Sequence, residues 1–274
     1  MSTQAEKGKE FRALHERNGA FIIPNPWDVG TARLLANLGF EALATTSAGY
    51  AFSAGQSDNS IGRDRMLAHC SEIVSATDLP VSADLENGFG DSPETVAETI
   101  RLAATTGLAG CSVEDMSSNP DDPIYEIGFA VERIRAAAEV VRSLPFTFTL
   151  TGRAENYLVG RPDLKDTIRR LQAYQQAGAD VLYAPGITNR EDIVSVVSSL
   201  DRPVNVLMGR KGIQLSLAEL SEIGVQRISV GSALSRAALG AFLRAAREMK
   251  THGTFTFADE AVNFTEINEI FKSR

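Results

Sequence analysis

Four acids and one arginine stand where short apolar runs give way to polar ones. Asp84-Leu85-Glu86-Asn87 follows PVSA, Glu114 follows CSV, Arg153 follows FTLTG, and Asp58 lies in the polar stretch beyond EALAT. Carboxylates gathered closely repel one another, so such a set must hold protons, pair with arginine or share a cation. Oxygen donors with no histidine beside them favour a hard ion, Mg2+ or, in second place, Mn2+. If they do not converge, the same acids merely cap helices and face solvent. Arg153 is suited to clamp a substrate carboxylate with its planar fork; the competing use is an ion pair to Glu155 or to the acids. The small residues of Thr45-Thr46-Ser47-Ala48-Gly49-Tyr50 would let N–H groups and hydroxyls approach a small anion, although such a run is also what a tight loop needs.

Other chemistries are argued against by what is missing. None of the six lysines (Lys7, Lys9, Lys165, Lys211, Lys250, Lys272) falls at the end of an apolar run, which speaks against a Schiff base. There is no CxxC and no HExxH, and His15, His69 and His252 lie in helix-like stretches, which gives no zinc spacing. Gly209-Arg210-Lys211-Gly212 and Gly231-Ser232 form a secondary candidate for holding a phosphate.

The elements that must position these residues alternate along the chain. Strands are expected at Ala20–Pro24, Glu41–Thr45, Pro80–Asp84, Gly110–Glu114, Phe146–Leu150, Asp180–Tyr183, Pro203–Val206 and Arg227–Val230. Helical spacing fills 28–38, 62–76, 93–107, 128–143, 162–176, 189–199, 216–222 and 232–250 between them. Ser92-Pro93-Glu94 reads as a helix start, Ser216 with Glu219 as a capping box, and Gly39, Gly107, Gly178 and Gly224 as helix stops. Eight strand–helix units predict an α/β fold of the (β/α)8 TIM-barrel type. A doubly wound sheet is the competitor, but no GxGxxG follows the first strand. No linker or composition break interrupts the chain, so one barrel domain over 1–274 with a C-terminal helical extension is expected. In a barrel the active site lies at the carboxyl ends of the strands, where Asp58, Asp84, Glu86 and Glu114 would converge from three neighbouring strands. If the third strand stays extended, Asp84 and Glu86 point to the same side. Phe255, Phe257, Phe264 and Phe271 in the tail are costly to leave in water and must pack on the barrel or, the favoured reading, on a neighbouring subunit.

The chain has 274 residues and a net charge of −8, with 43% apolar and 23% charged residues, an ordinary globular composition. Net acidity argues against a nucleic-acid partner. No window approaches the ~18–20 apolar residues of a membrane span, and the polar start MSTQAEKGKEFRALHERNG lacks a signal core. With two cysteines, Cys70 and Cys111, this suits a cytoplasmic protein.

In order, FIIPNPWDVGTARLLANLGFEALATTSAG, GQSD, SADLENGFGD, VEDM, GRAEN and AGADVLYAPG resemble the phosphoenolpyruvate mutase/isocitrate lyase superfamily from about Phe21 to Arg236. The resemblance implies a Mg2+ enzyme that makes or breaks a C–C or P–C bond beside the enolate of a 2-oxo acid. It also implies a helix-swapped barrel whose eighth helix packs on a partner, giving a homo-oligomer, dimer or tetramer. Position by position it makes Asp84 the direct metal ligand, with Glu86, Glu114 and Asp58 acting through metal-bound water. Thr46, Ser47 and Ala48 would surround the substrate carboxylate and carbonyl. Arg153 would hold the substrate and, with Glu114, form the catalytic pair. Asn205, and more weakly Arg236, would contact the distal part of a small 2-oxo or 2-hydroxy acid.

Two departures bear on the reaction. The lyase branch carries a KKCGH loop after the fourth strand, and Met116–Tyr125 here contains no Cys, Lys or His. That branch also has a Glu near the sixth strand's end, where this chain has Ala184-Pro185-Gly186. The phosphonomutase branch uses Lys, Asn and Ser in the same loop, of which only Asn119 and the serines have counterparts. The favoured reaction is therefore cleavage at C3 of an oxaloacetate-like acid, because departing CO2 needs no general base. The pyruvate enolate left behind would be stabilised by Mg2+ and the donors near Ser47, and then protonated by a metal-bound water, Tyr50 or Tyr183. The alternatives are an isocitrate or 2-methylisocitrate type of lyase, a phosphonopyruvate-type P–C bond enzyme, and a non-catalytic 2-oxo-acid binding protein.

Overall fold

The computed structural model describes residues 2–272; Met1, Ser273 and Arg274, which the expected 1–274 domain includes, lie outside the described residues. Eight parallel strands follow one another around a barrel: β1 (Phe21–Ile23), β2 (Leu43–Ala44), β3 (Val81–Asp84), β4 (Gly110–Glu114), β5 (Thr149–Arg153), β6 (Val181–Tyr183), β7 (Val204–Leu207) and β8 (Arg227–Ser229). β1 pairs with β8, and each later strand pairs with its predecessor down to β2. Between β1 and β2 the seam is closed by the Ala44 N–H donating to the Pro24 carbonyl at 3.1 Å. Asn25 reinforces it at the mouth, donating to the Thr45 carbonyl (3.1 Å) while its Oδ1 accepts from the Val230 and Gly231 N–H groups, each at 2.9 Å. The TIM-type barrel expected from the alternation is thus the fold.

The helices are α1 (Gln4–Glu16), α2 (Val29–Asn37), α3 (Ser47–Ser53), α4 (Arg63–Ser75), α5 (Pro93–Ala104), α6 (Ile127–Ser143), α7 (Leu164–Ala177), α8 (Arg190–Ser198), α9 (Leu217–Glu222), α10 (Ala233–His252) and α11 (Phe264–Lys272), with a 3-10 turn at Thr256–Glu260. Their ends follow local chemistry. Ser92 caps α5 with Pro93 at its first turn, Ser216 and Glu219 form a capping box on α9, and Gly39, Gly107, Gly178 and Gly224 take positive φ. α1 plugs the amino-terminal end of the barrel with Phe11 and His15 against Phe21. Gly8 permits the approach, since a Cβ there would stand 2.1 Å from the Thr147 carbonyl oxygen.

Two elements differ from expectation. β5 runs three residues later than Phe146–Leu150, because all five of its residues find partners on β4 and its last three on β6. Arg153 is therefore the last strand residue and not a loop residue. The run after β2 is the helix α3, not a tight loop; Thr46 caps it by accepting the Gly49 N–H at 3.2 Å.

Beyond β8 the chain leaves the barrel. In α10 Ser235 is buried while Leu239, Phe242, Leu243 and Met249 are exposed. α11 lies against α2, and Phe255 and Phe264 stay exposed. Among the described residues no helix is long and apolar enough to cross a membrane.

Candidate functional site

One row of strand partners organises the barrel interior. Glu114 on β4 is in register with Arg153 on β5, Arg153 with Tyr183 on β6, Tyr183 with Asn205 on β7, and Asn205 with Arg227 on β8. Registered partners in a parallel sheet face the same side. Glu114, Arg153 and Tyr183 end their strands, whereas Asn205 is the second residue of β7 and Arg227 the first of β8, so the row descends from the mouth at Glu114 to the floor at Arg227. Small residues on β2 and β3 (Ala44, Ser82, Ala83) and Ser112 on β4 leave room beside it, and a cavity of about 550 Å3 extends down the barrel. Its lining includes Thr46, Ser47, Ala48, Asp58, Asp84, Arg153, Tyr183, Asn205 and Arg227.

Arg153 is the hub of the mouth. Its Nη1 lies 3.0 Å from Glu114 Oε2 and 3.4 Å from Asp84 Oδ1, and its Nε donates to Glu155. Both uses considered for Arg153 therefore meet in one side chain: it is ion-paired, and it lines the cavity. Burial, then the Glu155, Asp84 and Glu86 charges, push Glu114 well above the usual carboxylate range, against the pull of Arg153. The acids hold the guanidinium more firmly protonated than usual although burial opposes this. Asp84 is almost fully engaged: Oδ2 accepts from the Ser47 N–H (3.2 Å) and hydroxyl (2.7 Å), and Oδ1 from Arg153 and the Glu86 N–H, each at 3.4 Å.

The structure separates some residues that the sequence reading grouped. Glu114 is buried behind Arg153 and is not part of the cavity lining. The strand ends at Asp84 and Glu86 takes φ +50°, so strand alternation no longer governs it. Glu86 opens on an adjoining cleft with Asn59, Asn87 and Met116. Asn205 is held deep in the barrel, accepting from Arg227 Nε (2.9 Å) and donating to Ser229 Oγ (3.0 Å). Arg236 stands at the outer wall of the same cavity with Arg210 and Lys211.

Glu86 bears on whether a cation fits. Its Oε1 is buried with no hydrogen-bond partner, and burial, then the Asp84 and Asp58 charges, push its carboxyl up to about 8. Asp58 is raised by burial and by Asp84. An orphaned oxygen beside two other acids is what a hard cation and its waters would satisfy. Among the described residues, however, no three of His, Cys, Asp and Glu surround one metal position, and Glu114 is committed to Arg153. The oxygen set thus fits a cation held by few direct ligands and mostly through water, not one caged by all four carboxylates.

Supporting residues escaped the sequence reading. Arg133 of α6, buried, donates to the carbonyls of Asn87, Gly90 and Asp91 and lies 4.2 Å over the Tyr125 ring, pinning the loop after β3. Asp115 accepts from Arg170 (3.1 Å), Tyr174 and the Glu155 N–H (2.8 Å), locking the ends of β4 and β5 to α7. Arg133 and Arg170 sit in amphipathic helices, where charged residues normally mark the solvent face, so spacing alone hid them. Arg227 opens a strand and could have been noticed as a charge inside an apolar run.

The family model for phosphoenolpyruvate phosphomutase matches residues 11–250. The chain belongs to the phosphoenolpyruvate mutase/isocitrate lyase superfamily. A solved protein from Burkholderia cenocepacia J2315, provisionally named a lyase/mutase, is 64% identical with a TM-score of 0.97, covering 98% of this chain and 97% of that one. An uncharacterized Mycobacterium tuberculosis (strain H37Rv) protein is 30% identical over 86% of this chain and 87% of its own length. Oxaloacetate decarboxylase from Chromohalobacter salexigens is 25% identical over 90% of this chain and 87% of its own.

Proposed function

We propose that this chain is a Mg2+-dependent carbon–carbon lyase that decarboxylates a small, oxaloacetate-like 2-oxo acid. The observation that carries the reading is the proton inventory of the cavity. No residue of the loop 116–124 is part of the lining, whereas Tyr183 is, buried and pushed up to about 12 chiefly by burial. The site thus offers an acid that stays protonated at neutral pH and no general base from that loop. Decarboxylation needs just that. The resemblance to oxaloacetate decarboxylase points the same way.

Asp84 would hold the ion directly, with Asp58 and Glu86 acting through its waters, while Glu114 stays paired with Arg153. When bound, Mg2+ supplies Lewis-acid polarisation of the 2-oxo group. Arg153 binds the substrate carboxylate and offsets its charge, while Glu114 and Glu155 keep the guanidinium oriented. Thr46, Ser47 and Ala48 line the wall where the 2-oxo acid end would lie. The C3–C4 bond breaks, CO2 leaves, and the electron pair becomes the enolate of pyruvate. Tyr183 then gives its proton to C3 and is reprotonated from solvent. A hydrogen bond from Ser229, itself receiving one from Asn205, steadies the phenolate that forms. Tyr50, the other tyrosine considered for this task, stacks on His69 at 3.9 Å and is not in the cavity lining.

The assay is pyruvate and CO2 release from oxaloacetate with Mg2+, set against the rate without protein and against 2-methylisocitrate and phosphonopyruvate. Glyoxylate-type release or inorganic phosphate in place of CO2 would overturn the reaction assigned. The exposed apolar face of α10 supports a homo-oligomer built by exchange of this helix, which light scattering in solution would test.

A further inference from the structure

At the bottom of the cavity lies a buried cation with no counter-charge. Arg227 is 5% exposed and lines the cavity. Its Nε donates to Asn205 Oδ1 (2.9 Å), Nη2 to Thr151 Oγ1 (3.0 Å), and Nη1 faces His15 Nε2 at 3.5 Å. All three partners are neutral. His15 Nδ1 must donate to the Phe11 carbonyl at 2.7 Å, since that oxygen can only accept, and Nε2 is left as a bare acceptor. Burial holds His15 at about 3, so the ring carries no charge at neutral pH. Tyr183, the other titratable group acting on Arg227, stays protonated too. The interior ion pairs involve Arg153 and Arg170; among the described residues Arg227 makes none.

A buried charge held only by neutral groups is costly unless an anion completes it. A guanidinium has five N–H donors, and three of these have partners here. Arg227 therefore keeps donors for a further acceptor. The cavity is also bipolar: acids and Arg153 occupy the mouth, and an uncompensated positive charge occupies the floor.

We propose that Arg227 is the counter-charge for a second anionic group of the ligand, so that the cavity selects 2-oxo dicarboxylates whose remote carboxylate reaches the barrel floor. This rests on the 2-oxo-acid reading above. Asn205 and Ser229 serve there as positioning residues that hold the guanidinium and its neighbour Tyr183 in register. The exposed cations Arg210, Lys211 and Arg236 on the outer wall offer the competing place for that carboxylate.

The test is calorimetry on the full chain with Mg2+, using three probes: oxalate for the metal end alone, pyruvate as a monocarboxylate, and 3,3-difluorooxaloacetate as a dicarboxylate. The wild type should bind the dicarboxylate at least about tenfold more tightly than pyruvate, as expected of a charge-assisted contact. Arg227→Met should erase that preference and leave oxalate affinity within about twofold. Arg227→Lys, which keeps the charge but not the fork, should retain part of it and serves if the methionine variant does not fold. The double variant Arg210→Ala/Lys211→Ala should keep the preference. A preference that survives Arg227→Met, vanishes in the outer-wall variant, or is missing from a wild type that binds oxalate overturns the role of Arg227. A wild type that binds no oxalate overturns the 2-oxo-acid reading and this proposal with it.

Discussion

Arg153 Nη1 stands 3.0 Å from Glu114 Oε2, and the same side chain reaches Asp84 and Glu155, so one guanidinium serves three carboxylates at the mouth of the barrel. Removing it leaves buried acids without their cation. Arg153→Met should lower unfolding stability by about 3–5 kcal/mol, the usual cost of breaking a buried pair. Arg153→Lys should fold better yet lose activity, because an ammonium cannot reproduce the fork toward Glu114 and Glu155. Thermal melts and steady-state rates on the two variants separate these effects. Equal stability in all three proteins would contradict the hub role.

Asp84 joins the strand end to the cavity and is the acid that Ser47 and Arg153 both address. Asp84→Asn keeps the shape and removes the charge. Oxalate binding that depends on Mg2+ should disappear in this variant, while the melting curve without Mg2+ shifts little. Calorimetry with and without chelator reads the outcome, and an unchanged Mg2+-dependent affinity would rule out Asp84 as the ligand.

Tyr183→Phe removes the proposed proton and nothing else of similar size. Pyruvate formation should fall by roughly 10²–10⁴-fold, the range for loss of general acid catalysis, with oxalate affinity retained. Stopped-flow measurement of CO2 release alongside pyruvate is informative here. Decarboxylation that outpaces pyruvate formation is expected, and unimpaired pyruvate formation would remove Tyr183 from the reaction.

His15 and His69 are buried, and burial lowers them to about 3 and about 4. In the unfolded chain each takes up a proton near the ordinary histidine value, ~6.5. The unfolded state therefore binds more protons between the two values. The stability these groups contribute is complete above that upper value and is lost as pH falls toward the folded one. Within the window each adds a slope of about 1.4 kcal/mol per pH unit. His15→Gln should flatten the decline in denaturant midpoint between pH 6 and pH 4, whereas a curve parallel to wild type would mean that His15 is not neutral in the fold.

Asn25 ties three strands together at the seam. Asn25→Leu leaves the N–H groups of Val230 and Gly231 and the Thr45 carbonyl without their partner. Unsatisfied buried groups cost about 1–3 kcal/mol each, so a loss of several kcal/mol by chemical denaturation is expected. A change below about 1 kcal/mol would show that the seam is held elsewhere.

The alternation of short apolar runs with helical spacing was enough to specify the barrel, since strand and helix periods are local properties of the chain. The rule that barrel chemistry lies at strand ends then selected Asp58, Asp84 and Arg153, all of which the structure places on one cavity. What spacing could not supply was how side chains from distant strands are partnered. That Glu114 stands behind Arg153, that Glu86 turns into another cleft, and that Thr46 opens a helix follow from barrel closure and backbone φ. The register that descends from Glu114 to Arg227 is likewise invisible in sequence. It arises from hydrogen bonding between strands up to dozens of residues apart, and only that pairing brings an uncompensated arginine beneath a pocket whose rim is acidic.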